Sequence, residues 1–166
     1  MKPVVIVRRI RKPLKEAQLK QIVNAWNRMI DAKAGNPWWK KISCEEKASE
    51  NLIYIKGKSK LLFFVFDENK KPIGDIQGRI LAGKYVEMGY WLDPKKFGKG
   101  YMAEALKKVL RYLKQKGFKK ALFATPKKNI KSRALLLRIG AKQAGTETRK
   151  RMGKRWLYRK YEVLLK

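Results

Sequence analysis

The chain has 166 residues and a mass of 19.4 kDa, which predicts one domain spanning residues 1–166, with an ordinary core and about 8,500 Å² of surface. Its 43 Lys and Arg against 13 Asp and Glu give a formal charge of +30, yet 45% of the residues are hydrophobic and 11% aromatic, too apolar for an unfolded polycation. One cysteine, Cys44, and no histidine exclude a disulfide scaffold, the usual zinc sites and a histidine-based triad, and no metal is expected.

The most apolar run, residues 61–66, is far shorter than the ~20 residues of a bilayer-spanning helix. The first residues carry no apolar signal core, so no membrane association and a cytoplasmic location are expected. The charge is uneven. Residues 1–15 hold six Lys and Arg and no acid, residues 16–94 thirteen against ten, and residues 95–166 twenty-four against three.

Residues 4–10 are β-branched enough for a strand, ended by Pro13. Leu19, Ile22, Val23, Trp26 and Met29 recur at three- and four-residue steps, which predicts a helix over 14–29 extended by Ile30. A turn at 34–39 carries Trp38 and Trp39, and a short helix is predicted around 44–51. Residues 61–67 read as a buried strand, 68–72 as a turn and 73–81 as the hairpin partner. After Gly83 comes a strand over 85–92. A glycine-rich turn leads into a helix over 102–116, whose stripe is Leu106, Val109, Leu110 and Leu113 and whose stop is Gly117. Residues 121–125 form a strand broken by Pro126, and 132–139 a helix closed by Gly140. The chain ends in a hairpin of strands 146–152 and 156–165 about Gly153-Lys154.

Gly98-Lys99-Gly100, at a strand-to-helix junction, leaves backbone N–H groups bare where a helix N-terminus already favours negative charge, a cradle for phosphate. Around it stand Pro72-Ile73-Gly74, Met88-Gly89-Tyr90-Trp91-Leu92, Pro94, Tyr101, Ala103-Glu104-Ala105-Leu106, Asn129, Ser132 and Gly140. This order and spacing resembles the GNAT acetyltransferase superfamily and, within it, the RimJ/RimL-like branch of ribosomal-protein N-acetyltransferases, over about residues 72–165. The resemblance implies a mixed α/β fold: a splayed, mostly antiparallel sheet of six or seven strands flanked by about four helices. It implies acetyl-CoA as cosubstrate in the V between the fourth and fifth strands. The pyrophosphate would meet the amides of Phe97, Gly98, Lys99, Gly100, Tyr101 and Met102, the pantetheine arm the backbone of Trp91 and Leu92, and Asn129 the arm farther along.

Three positions depart from the family pattern. Phe97 stands where an Arg or Gln is usual, and Met102 where a small residue is usual. The tyrosine acid of many members is Leu136 here. In the RimL-like branch a serine protonates the leaving thiolate, and Ser132 matches it, although a helix N-terminal cap also suits that position. The carboxylate of the branch's Gly-Phe-x-x-Glu-Gly is absent from 140–145, and Glu147, three residues on, should face the other way in a strand.

An alkylamine is mostly protonated at neutral pH, so acetyl transfer needs a proton acceptor beside the thioester. Glu87 is the first candidate and Asp93 the second; a salt bridge is the competing account of either. Asn129 also reads as a turn residue. Acetyl-CoA accounts for a handful of cations, not thirty in excess. Three accounts of the surplus stay open: an N-acetyltransferase, monomer or homodimer, whose acceptor is a protein N-terminus or aminoacyl-tRNA on RNA or the ribosome; a small-molecule acetyltransferase with a solubilising surface; and a GNAT-fold nucleic-acid-binding module.

Overall fold

The structure, a computed structural model, describes residues 3–34, 36 and 38–166. Gly35 and Pro37, in the turn expected at 34–39, lie outside the described residues. The elements follow the order β1 (Ile6–Arg9), α1 (Glu16–Asp31), α2 (Cys44–Lys56), β2 (Lys60–Phe66), β3 (Pro72–Leu81), β4 (Tyr85–Leu92), α3 (Tyr101–Gln115), β5 (Lys120–Pro126), α4 (Ile130–Arg138), β6 (Lys142–Arg151) and β7 (Lys154–Leu164). They build one seven-stranded sheet in the order β1-β2-β3-β4-β5-β7-β6. The β4–β5 pair is parallel and its neighbours antiparallel, the mixed sheet expected.

The apolar run of β2 is explained by burial on both faces. Leu61, Phe63 and Val65 join the core under α3, with Leu106, Val109 and Leu113 of its stripe. Leu62, Phe64 and Phe66 face the other way, against Ile22, Val23 and Met29 of α1. Two helical layers therefore clasp the sheet, and each strand residue belongs to one layer by its parity.

Several boundaries move from their expected places. The second helix runs 13 residues rather than eight, because a Ser43–Glu46 capping box starts it and Gly57 follows its end. β6 begins at Lys142 through a bulge between Gln143 and Thr146. The hairpin turns on Met152 and Gly153 rather than Gly153-Lys154: their φ angles of 50° and 72° are the positive pair a two-residue primed turn requires. This hairpin is largely exposed, and the molecule presents 10191 Å², above the 8,500 Å² typical of a compact chain of this mass.

One charge is wholly inside. Lys47 of α2, with no side-chain exposure, donates to Asp75 of β3 at 2.9 Å and to Glu50 at 2.8 Å, beneath the rings of Trp26 and Trp91. Burial pulls its ammonium toward neutrality, but the two carboxylates hold its pKa above the ordinary value. Removing one partner strands the other in the interior. Lys47→Ala is therefore expected to destabilise the fold by about 3–5 kcal/mol in urea denaturation, and K47M/D75L to recover most of that loss.

Candidate functional site

The site begins where two strands part. β4 and β5 are paired from Tyr85–Lys120 to Met88–Phe123, and no farther. Beyond that point Gly89 to Leu92 keep only β3, while Ala124 to Pro126 keep only β7. The edge of β4 over Gly89–Leu92 thus faces a wedge with no ladder partner among the described residues. β3 follows β4 closely here: a Cβ on Gly74 would lie 2.3 Å from the Trp91 carbonyl oxygen, so only glycine fits. Trp91 and Leu92 bury their side chains in opposite layers and offer the wedge their backbone alone.

After β4, Asp93 caps a 3-10 turn at Pro94–Lys96 by accepting from the Lys95 N–H, and Arg28 of α1 binds its carboxylate. Gly98 and Gly100 then adopt φ of 73° and 83°, left-handed conformations that glycine takes without strain, and Gly100 opens α3. The amides of Gly98, Lys99 and Gly100 have no acceptor among the described residues, and those of the first helical turn project beside them. They floor an open depression of about 320 Å³ that Lys99, Lys107 and Arg138 border. The bulky departures from the family pattern do not fill it. Met102 is buried under α3, Phe97 packs on the same core beneath the Lys131 ammonium, and Tyr101 turns away to donate to Glu68 at 2.6 Å.

At the wedge, Tyr90 reaches from β4 to α4, its hydroxyl 2.7 Å from Ser132 Oγ. Burial pushes the Tyr90 phenol up to about 12, the Ser132 hydrogen bond opposing it, so Tyr90 stays protonated at neutral pH. Ser132 is not the helix cap. Asn129 is, its side-chain oxygen accepting the Ser132 N–H at 3.1 Å, which leaves the Ser132 hydroxyl and the Asn129 amide group for other partners.

On the opposite face, Glu87 sits one residue before the strands part. Arg79 of β3 donates to it at 2.6 Å and Arg149 of β6 at 2.9 Å, and Arg149 also binds Glu147. Partial burial would raise the Glu87 carboxyl, but the two guanidiniums more than offset it and hold it below the ordinary value. Glu147 does not face away as strand alternation predicts. The bulge at 143–146 absorbs one residue and turns it toward Arg149. Arg149 lies over the Tyr158 ring at 5.0 Å, and Trp38 packs on Trp156 and Tyr158 at 5.2 and 6.2 Å, forming an aromatic wall beside these charges.

Sequence reasoning thus named Glu87, Asn129, Ser132 and the 97–102 loop, and missed Tyr90, Arg79, Arg149 and the place of Glu147. Arg79 was within reach, since it faces Glu87 in the β3–β4 register. Arg149 was not, being 62 residues from Glu87 in the chain.

Comparison with known proteins gives the same class. The acetyltransferase (GNAT) domain profile matches residues 8–142, and the chain belongs to that family. A sequence search of curated proteins found no match. Among solved structures, the microcin C7 self-immunity acetyltransferase MccE, in complex with acetyl-CoA and AMP, is 20% identical. It covers 95% of this chain and 92% of its own, at a TM-score of 0.82. Ribosomal-protein-S5-alanine acetyltransferase from Vibrio fischeri is 22% identical over 96% of this chain and 92% of its own, at 0.76. Spermidine N-acetyltransferase from Vibrio cholerae, in complex with CoA and spermine, is 20% identical over 97% and 95%, also at 0.76. At these identities the likeness is one of fold.

The depressed Glu87 pKa makes a checkable statement about pH. A carboxylate whose folded pKa lies below its ordinary 4.5 contributes stability above that pH and loses it as pH falls through the folded value. Glu87→Gln should therefore be less stable than the parent at neutral pH, with the difference shrinking progressively below pH 4.5 in denaturation series.

Proposed function

We propose that this acetyl-CoA-dependent N-acetyltransferase belongs to the RimJ/RimL-like branch and modifies a primary amine presented by an RNA-associated acceptor, a ribosomal protein N-terminus or an aminoacyl-tRNA. The observation that carries the acceptor class is the basic β6–β7 hairpin, whose inner face walls the acceptor side of the wedge with Arg149, Trp156 and Tyr158. A strongly cationic protein repels polyamines and concentrates polyanions around itself.

On this reading the pyrophosphate of the cosubstrate rests on the amides of residues 97–102, with Lys99, Lys107 and Arg138 at its rim. The pantetheine amides complete the unpaired edge of β4 at Trp91 and Leu92, and the Asn129 side-chain amide group donates farther along. The acceptor nitrogen reaches the thioester from the Glu87 face. Glu87, kept anionic by Arg79 and Arg149, is a weak proton acceptor; it draws the ammonium to the wedge and orients the water that carries its proton away. The nitrogen attacks the carbonyl carbon, the C–N bond forms and the C–S bond breaks. Tyr90, donating to Ser132 Oγ, leaves the serine proton free for the departing thiolate.

The test is calorimetric and kinetic. The parent should bind coenzyme A, and Gly100→Ala should weaken that binding while the protein stays folded, since a Cβ there meets only Pro3 at 3.5 Å but forces a positive φ on alanine. No heat from the parent would sink the assignment. Ser132→Ala should lower kcat by about 100-fold in a thiol-release assay with little change in the KM for acetyl-CoA. An undiminished kcat would remove Ser132 from the reaction.

A further inference from the structure

The tip of the β6–β7 hairpin is built against its own stability. Lys150 stands directly opposite Arg155, and Arg151 directly opposite Lys154, two consecutive cross-strand pairs of like charge. Such pairs repel, and no acid forms an ion pair with any of the four among the described residues. The hairpin's two acids are taken elsewhere: Glu147 binds Arg149, and Glu162 binds Lys120 at 2.8 Å. Alternation divides the cations between two faces. Arg151 and Lys154 lie on the face of Arg149 and Trp156, while Lys150 and Arg155, with Thr148 and Leu157, line an open groove of about 660 Å³ on the other. Met152, 81% exposed, projects at the turn between them.

We propose that this groove and tip bind the phosphate backbone of RNA, and that the stacked cations are the docking site of the RNA-associated acceptor. The inference rests on the acceptor class proposed above and gives it a surface. A phosphodiester chain passing between opposed cations relieves their repulsion and releases condensed counterions, so the unfavourable pairs of the free protein become favourable contacts in the complex. The concave shape selects a strand over a bilayer, which would bridge the groove without filling it. The half-exposed Trp156 and exposed Leu157 and Met152 offer bases apolar surface beside the phosphates. Because the two faces belong to one hairpin, an RNA that crosses the tip brings its end to the face that carries Arg149 and Trp156.

The geometry also supplies a test that separates binding from folding. K150E sets an acid opposite Arg155, and R155E sets one opposite Lys150, so each replaces a repulsive pair with an attractive one. Each variant should melt at or above the parent temperature. Each should nevertheless bind a bulk tRNA pool about fivefold more weakly at low salt, with the slope of log affinity against log salt reduced by about 0.7 for every phosphate that is no longer neutralised. Coenzyme A affinity, measured on the same samples, should be unchanged. Unaltered tRNA affinity in both variants overturns the proposal. So does a parallel loss of coenzyme A affinity, which would assign the groove to the coenzyme. Equal competition by a DNA duplex of matched length, or binding to phosphatidylglycerol vesicles without binding to tRNA, overturns it as well. Failure of the parent to bind coenzyme A strikes instead at the acetyltransferase mechanism and leaves the tRNA measurement to stand by itself.

Discussion

The separation of β4 from β5 after the Met88–Phe123 pair governs everything the protein offers a substrate. Up to that pair the sheet is closed; beyond it each strand keeps a single neighbour, and a polar edge opens in the middle of the molecule. Unmet backbone groups in such a place cost about 1–3 kcal/mol each when they are dry. The fold tolerates them because the wedge admits solvent, or an extended ligand whose own amides can act as an added strand. Residues on both sides keep the strands apart. Trp91 is anchored in the α1 layer, edge-on to Trp26 at 5.1 Å, and β5 ends at Pro126, which has no N–H to offer across the gap.

The loop that follows β4 converts this backbone opening into an anion site. Two positive φ angles within three residues turn successive N–H groups outward, and the large side chains at 97, 101 and 102 are all drawn elsewhere. Phe97 and Met102, which replace an Arg or Gln and a small residue of the family pattern, are therefore compatible with a cradle made of main chain alone. The cations around it come from separate elements: Lys99 from the loop, Lys107 from α3 and Arg138 from α4. No single side chain replaces the missing one at 97.

Much of this was written locally in the sequence. The eight residues of β4, the stripe of α3 and the glycine pair before it depend on neighbours within a few positions, and periodicity and turn chemistry read them directly. The α2 boundary was also legible, since Ser43, Glu46 and Gly57 are ordinary start and stop signals. What could not be read is the charge cluster at Glu87. Its assembly requires β6 to lie on β7, β7 on β5, and a one-residue bulge in a stretch, Lys142 to Thr146, that has no apolar alternation to mark its register. Tyr90 presents the same limit in another form. Its ring belongs to the core pattern, and only the third dimension shows that its hydroxyl meets Ser132.

The distribution of charge resolves an apparent conflict between a +30 protein and a substrate that arrives as an ammonium. Arg79, Glu87, Arg149 and Glu147 form an alternating chain with no net charge. The surplus lies outside it, on the hairpin tip, the α4 side and the first strand. Beyond a Debye length of ~8 Å those distant cations are screened from the apex, so an amine there is governed by Glu87 and its two guanidiniums. A polyanion is governed by the summed field of the whole surface, because it makes many contacts at once and displaces counterions at each. The same molecule can then attract a nucleic-acid carrier over tens of ångströms while presenting a locally neutral pocket to the amine that carrier delivers. This division requires the two carboxylates to stay paired with Arg149. Were that arginine uncharged, Glu87 and Glu147 would give the apex a net negative charge; were the carboxylates absent, the arginines would repel the ammonium at contact distance.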